Sequence, residues 1–372
     1  MSANPSTAGT SSVNTRASAA PDRGYRGLLP RLPRLEDESY ADFVEGLRVL
    51  CGAGMSQPAM MALHGALGTP PAPVPQMDRV ALRQVGDPIP VLATRNRLLR
   101  SSQQMMWRSL NASFGLRRAE IEAALTAAET QGPGTLEWSP EFPVPEYTQR
   151  EFHIQPGGYQ GDALTGHVYH YGTKVFFTGS NDQDDLHREL AAAAPRPADG
   201  KVQRVLDIGC SIGQGTTALK QVLPQAEVTG IDIGAPMLRY AHWRAVQLGS
   251  DVHFKQRLIE ASGFPDAHFD MVQSVIVFHE VPWAITQQAF CEMFRVLRPG
   301  GTFNVFDFPA GDPIPAGLQY FLDIDARYNG EPYSTQFIYA DVAGELARAG
   351  FAVKRGPNVA RYLRTWFCTK PA

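Results

Sequence analysis

The chain has 372 residues, 44% of them apolar, and a formal charge of −3 at neutral pH. That length suits two globular domains, and a slightly acidic chain with scattered basic residues offers no electrostatic footprint for nucleic acid. No apolar run approaches the ~18 residues of a membrane span, and the cysteines (Cys51, Cys210, Cys291, Cys368) show no C-x-x-C or paired spacing, which argues against a disulfide framework or a zinc site and for a reducing, cytoplasmic setting.

Residues 1–34 are rich in Ser, Thr and Ala and end at Pro30 and Pro33, which predicts a disordered leader without the apolar core of a signal peptide. From about residue 37 the pattern turns helical: Tyr40, Phe43, Val44, Leu47 and Leu50 share one face, and Gly52 and Gly54 stop the run. Ser56-Gln-Pro58 opens a second helix through Met60, Met61 and Leu63, in which His64 reads as a packing or surface residue. The proline run 69–75 predicts a loop, with helices after it around 94–113 and 117–130. Residues 35–140 therefore read as an α-helical domain without a catalytic motif, suited to cap a site or to form a homodimer.

A linker or lid is expected over 141–200, after Pro- and Gly-rich residues at 132–147. It holds Phe152-His-Ile-Gln-Pro-Gly-Gly-Tyr159 and His167-Val-Tyr-His-Tyr-Gly-Thr-Lys-Val-Phe-Phe177. These aromatics read either as a packing seam or as a lid whose Tyr169, His170 or Tyr171 reaches a cofactor or substrate. His167 and His170 lack an acidic partner or third ligand nearby, so no metal is expected. A helix follows at about 183–194, ended by Pro195 and Pro197.

From residue 201 short apolar strands alternate with helices: strands at 203–208, 227–232, 251–255, 270–277 and 301–307, helices at 214–223, 236–248, 284–297 and 338–349. Residues 309–336, rich in Pro, Gly and aromatics, interrupt the alternation as a cap insertion, and 351–354 with 362–368 predict a closing antiparallel pair. Such alternation demands a parallel sheet with right-handed crossovers. The first strand breaks at Gly209, Ser211 and Gly213 into a helix start, and the second ends in Asp232 about twenty residues on, where an acid meets ribose hydroxyls or caps the next helix.

Asp207-Ile-Gly-Cys-Ser-Ile-Gly213 resembles the first motif of the class I S-adenosylmethionine (SAM)-dependent methyltransferases, and Asp232 matches the acidic end of their second strand. Phe264-Pro-Asp-Ala-His-Phe-Asp-Met-Val272 is similar to their approach to strand four, and Arg295-Val-Leu-Arg-Pro-Gly-Gly-Thr302 to their turn into strand five. Ser211 stands in place of the family's middle glycine, and Leu258 where many members carry an Asp near adenine. The resemblance covers about 200–310, looser beyond, and none of the first half. It implies an α/β, doubly wound, mostly parallel seven-stranded sheet over 201–372. It also implies SAM as cofactor, held by Asp207, Gly209, Cys210, Ser211 and Gly213, by Asp232, Ile233 and Met237, by Ile259 and Glu260, and by Ser274 on strand four. His279 and Glu280 follow strand four at the catalytic rim, either as proton-handling groups or as a structural cap, with Tyr171 as a lid candidate. Asp307 ends strand five at the same rim. A small-molecule acceptor in specialised metabolism is expected, with no nucleic-acid or membrane partner. The same motifs also suit aminocarboxypropyl transfer or cyclisation of SAM, and a SAM-binding scaffold without turnover.

Overall fold

The computed structural model describes residues 25–26, 28–359 and 363–372. Most of the expected leader, and Tyr362 at the start of the last expected strand, lie outside them. The described end of the leader is packed rather than loose. Leu29 and Leu32 are buried in a helical core, and the Leu28 N–H donates to the Asp182 carbonyl at 2.9 Å.

The first half is helical, as expected: α1 (Leu35–Val49), α2 (Ser56–Leu67), α3 (Arg79–Gly86), α4 (Pro90–Gly115) and α5 (Arg118–Ala128). Helix α3 was not anticipated. It is one short amphipathic stretch after the proline loop, started by Asp78, whose carboxylate accepts the Ala81 N–H at 2.8 Å. Helix α4 begins at Pro90, where a missing N–H costs nothing. The aromatic run at 167–177 lies almost wholly within helix α6 (Thr165–Phe176), and α7 (Asp185–Ala193) leads into the sheet.

The sheet has eight strands, one more than expected. In chain order they are β1 (Thr135–Glu137), β2 (Arg204–Ile208), β3 (Glu227–Asp232), β4 (His253–Gln256), β5 (Phe269–Val275), β6 (Leu297–Asp307), β7 (Ala352–Arg355) and β8 (Arg364–Thr369). Their spatial order is β7-β8-β6-β5-β2-β3-β4-β1. The neighbours from β1 to β6 run parallel, and β8 pairs antiparallel with both β6 and β7. The extra strand β1 comes from the Pro- and Gly-rich stretch read as a boundary. It pairs with the edge strand β4, so that boundary is stitched into the sheet.

Helices α8 (Gln214–Val222) and α9 (Ala235–Gln247) cover one face, and α10 (Trp283–Val296) the other. The cap insertion forms α11 (Ala316–Tyr328) and α12 (Ser334–Ile338), and α13 (Val342–Arg348) returns the chain to the sheet. Leu63, Leu82 and Leu92 from the first half share a core with Tyr320, Phe321 and Ile324 of α11. The first-half helices and the insertion are thus one cap, although about 200 residues separate them in sequence.

Register aligns the strand ends that matter. Ile208 lies beside Ile231 and Ser274, and Val275 beside Phe306. The glycine turn, Asp232, residues 276–280 and Asp307 therefore leave the sheet at one edge. Strand order reverses at β2, and ligands in open α/β sheets bind at such a crevice.

Candidate active site

A cavity of about 530 Å³ sits at that edge, between the sheet and the cap. Asp207, Gly209, Cys210, Ser211, Asp232, Ile233, Met237, Ile259, His279 and Glu280, all expected at the site, lie in its wall. The turn after β2 holds Gly209, Ser211 and Gly213 at φ of 61°, 51° and 77°. A Cβ on Gly209 would lie 2.6 Å from Val277 Cγ2, so only glycine lets the two turns meet. Gly213 stands behind the wall and caps α8.

Asp232 accepts the Ser211 N–H on one oxygen and the Gly234 N–H on the other, each at 2.8 Å. It therefore ties the first turn to the start of α9 and still has lone pairs facing the cavity. Burial pushes its carboxyl up, against the pull of those N–H groups. Asp207 accepts the Thr216 hydroxyl at 2.7 Å, and burial pushes it up to about 7. Burial raises the Cys210 thiol, which favours an inert packing group over a nucleophile.

Besides Gly213, three more expected site residues stand outside the wall. Tyr171 is 5% exposed and packs edge-on against Phe114 at 5.3 Å, because α6 turns that face toward α4; its neighbour Tyr169 faces the cavity instead. Ser274 is fully buried in β5, outside the wall. Glu260 stands behind the wall and accepts the Tyr147 hydroxyl at 2.8 Å, while Arg257, Leu258 and Ile259 do the lining.

At the far end of the cavity His279 forms a dyad with Asp307. Its Nδ1 is 2.8 Å from Asp307 Oδ1, and its Nε2, also buried, makes no hydrogen bond. Asp307 in turn accepts the backbone N–H groups of Val277 and Phe278 at 3.1 and 2.8 Å, and of Phe308 at 2.8 Å. Those bonds hold Ile276 at φ 58°, a strained setting for a β-branched residue, and so aim the turn that carries His279. Burial pulls the His279 pKa down, but Asp307, with Glu280 and Glu331 behind it, overcomes this and raises it to about 9.

Beside the dyad lies a cluster that sequence reading missed. His153 donates Nε2 to Glu280 at 2.9 Å and faces Glu331 with Nδ1 at 3.2 Å. Tyr159 donates its hydroxyl to Glu280 at 2.8 Å, and Asn329 donates to Glu331 at 2.6 Å. Burial opposes the charged imidazole, yet the two carboxylates lift His153 to about 10. The His153 backbone is left-handed, φ 54° and ψ 21°, and its carbonyl accepts both the Gln103 amide at 2.8 Å and the Trp107 indole N–H at 2.7 Å. The aromatic run around residue 152 was visible in sequence. Its partner Glu331, in the insertion, carried no local signal. Among the described residues no cluster of His, Cys, Asp or Glu is suited to a metal ion, and no helix is long and apolar enough to cross a membrane.

Residues 205–301 match the family model for a methyltransferase domain. Over 168 residues the chain is 33% identical to the demethylmenaquinone methyltransferase of Thermus thermophilus, a stretch that covers 41% of this chain and 76% of that protein. The chain belongs to the class I SAM-dependent methyltransferases. It is also 33% identical over 127 residues to the demethylmenaquinone methyltransferase of Deinococcus radiodurans, covering 34% of this chain and 51% of that one. With the 27-O-demethylrifamycin SV methyltransferase of Amycolatopsis mediterranei it shares 32% over 166 residues, 43% of this chain and 58% of the other. The chain thus spans little more than half the length of the latter two. Of the three readings left open by the sequence, these relatives carry methyl transfer. The wall fits the family's cofactor: carboxylates at the ends of two strands, Asp207 buried and Asp232 partly so, a glycine turn without room for a Cβ, and the apolar sides of Ile233, Met237 and Ile259.

Proposed function

We propose that this methyltransferase modifies a small-molecule acceptor at an O–H or N–H group, with His279 as general base. The observation that carries this reading is the His279–Asp307 dyad, with a buried Nε2 at the cavity that makes no hydrogen bond and has Glu280 Oε1 3.8 Å away. SAM would supply a methyl group already activated by its sulfonium. The turn from Gly209 to Ser211 would pass its methionine portion, Asp232 would accept the ribose hydroxyls, and Ile233, Met237 and Ile259 would flank the adenine. In the free protein the raised imidazole carries a proton at neutral pH and must first lose it. Asp307 fixes the ring orientation, so Nε2 is then the nitrogen that takes the acceptor's proton, and the rate should rise with pH up to about 9. Glu280, held by Tyr159 and His153, positions the acceptor rather than receiving a proton. The relatives' names refer to a menaquinone precursor and a rifamycin precursor, which supports a small-molecule acceptor.

Purified protein is incubated with SAM and a panel of phenol, alcohol and amine acceptors, and products are read by mass spectrometry. S-adenosylhomocysteine and a methylated acceptor are expected. His279→Gln lowers the rate roughly 10²–10⁴-fold with S-adenosylhomocysteine affinity unchanged. Release of methylthioadenosine instead, or an unimpaired His279→Gln enzyme, would sink the proposal.

A further inference from the structure

Next to the cavity lies a second chamber of about 500 Å³. The two share Phe176, Thr178, Phe308, Asn329 and Glu331 as walls. Phe308 packs edge-on against the His279 ring at 4.7 Å, so the chamber begins one aromatic side chain away from the dyad.

Its charge is unbalanced. Arg48, Arg95 and Arg100 line it, against Asp325 and a Glu331 already engaged by His153. Arg95 is 7% exposed; its Nε donates to the Cys51 carbonyl and the Ser56 hydroxyl, one Nη donates to Asn96, and the guanidinium lies 4.2 Å from the Phe321 ring centroid. The half-buried Arg48 donates to the Gln103 amide oxygen at 2.6 Å and stacks on Phe176 at 4.5 Å. Among the described residues none of these three arginines has a carboxylate oxygen within 4.0 Å, whereas Arg244, buried like Arg95, is paired with Asp184; Arg100 stands exposed at the rim. Burial pulls Arg48 down to about 10 against the attraction of Asp325, and pushes Asp325 up to about 6. A desolvated guanidinium bound only to neutral acceptors is costly unless an anion completes it. Its planar fork matches a carboxylate or a phosphate.

We propose that this chamber binds an anionic group, carboxylate or phosphate, carried by the methyl acceptor. The acceptor is then bifunctional: its protic group meets His279, and its anionic end passes Phe308 and Phe176 to meet Arg48, Arg95 and Arg100. This rests on the acceptor-site reading above and narrows its substrate class.

The test uses the full chain saturated with S-adenosylhomocysteine and follows benzoate, phenyl phosphate and the neutral control benzamide by titration calorimetry. At least one anion should bind about tenfold or more tighter than benzamide, and whichever of the two wins identifies the group. Arg48→Gln and Arg100→Gln should each weaken that anion about tenfold while leaving S-adenosylhomocysteine affinity unchanged, which also reports that each variant is folded. Benzamide matching both anions, no binding of either anion, or unweakened binding in both variants overturns the proposal. Should S-adenosylhomocysteine itself fail to bind, the cofactor-site reading falls, and the same titrations on the free protein still decide the chamber.

Discussion

Asp232 holds two backbone N–H groups, one per oxygen, and so does structural work before any ligand arrives. A carboxylate has about four lone-pair sites, so the two left over suffice for ribose hydroxyls. Asp232→Ala therefore removes a ligand contact and unties the first turn from α9. S-adenosylhomocysteine affinity measured by calorimetry should fall by about 100-fold or more, near 3 kcal/mol, with far-UV dichroism unchanged. Gly209→Val should lose binding as well, because its side chain would occupy the space of Val277 at a φ of 61°. Retained affinity in both variants would remove the cofactor-site reading. Ser211 shows the limit of reading by type. A serine held at φ 51° costs ~1 kcal/mol relative to glycine, yet the turn forms because Asp232 receives its N–H.

At the scale of elements, His153 joins three segments: its own 3-10 turn, the turn after β5 through Glu280, and the insertion through Glu331. Both His153 and His279 have pKa values raised in the fold, to about 10 and about 9, above an unfolded value near 6.5. Such groups stabilise the fold fully below pH 6.5, and that contribution is lost as pH rises through 9 and 10. The melting temperature of the free protein should fall between pH 6.5 and 10. His153→Gln should lower stability at pH 6.5 and flatten that slope. A slope unaltered in the variant would mean that His153 is not a charged clamp. None of this was visible locally. His153, Glu280 and Glu331 lie on three segments with no common motif, and only the packing of α4, through Gln103 and Trp107, sets the His153 backbone.

For the whole molecule, the helical half and the insertion behave as one cap. Tyr320 of α11 is fully buried, bonds Asn96 of α4 and Asp87 beyond α3, and packs on Gly86. A Cβ on Gly86 would lie 2.4 Å from the Tyr320 ring. Gly86→Ala should therefore cost about 1–3 kcal/mol of local stability. In hydrogen exchange the amides of α3, α4 and α11 should speed up together while those of β2, β3 and β5 keep their protection. Faster exchange confined to α3 would show that the cap is not one cooperative unit.

The Rossmann-like half was legible because its information is local. Strands β2 to β6 are short apolar runs, and the glycine turn and Asp232 lie within one βαβ unit, so periodicity and turn chemistry found them to within a few residues. What sequence reading missed was non-local. Strand β1 is three residues long and exists only because β4 has an open edge. Helix α11 sits in a stretch whose prolines and glycines read as irregular, and it is stabilised by a core borrowed from α2, α3 and α4. Tyr169 and Tyr171 have equal claims as letters; the roll of α6 on α4 sends one to the cavity and the other into the core. The sequence alone determined the family, the sheet and the cofactor turn, because backbone geometry there depends on adjacent residues. Tertiary structure decided the acceptor end, where charges distant in the chain settle one another's protonation and one another's place.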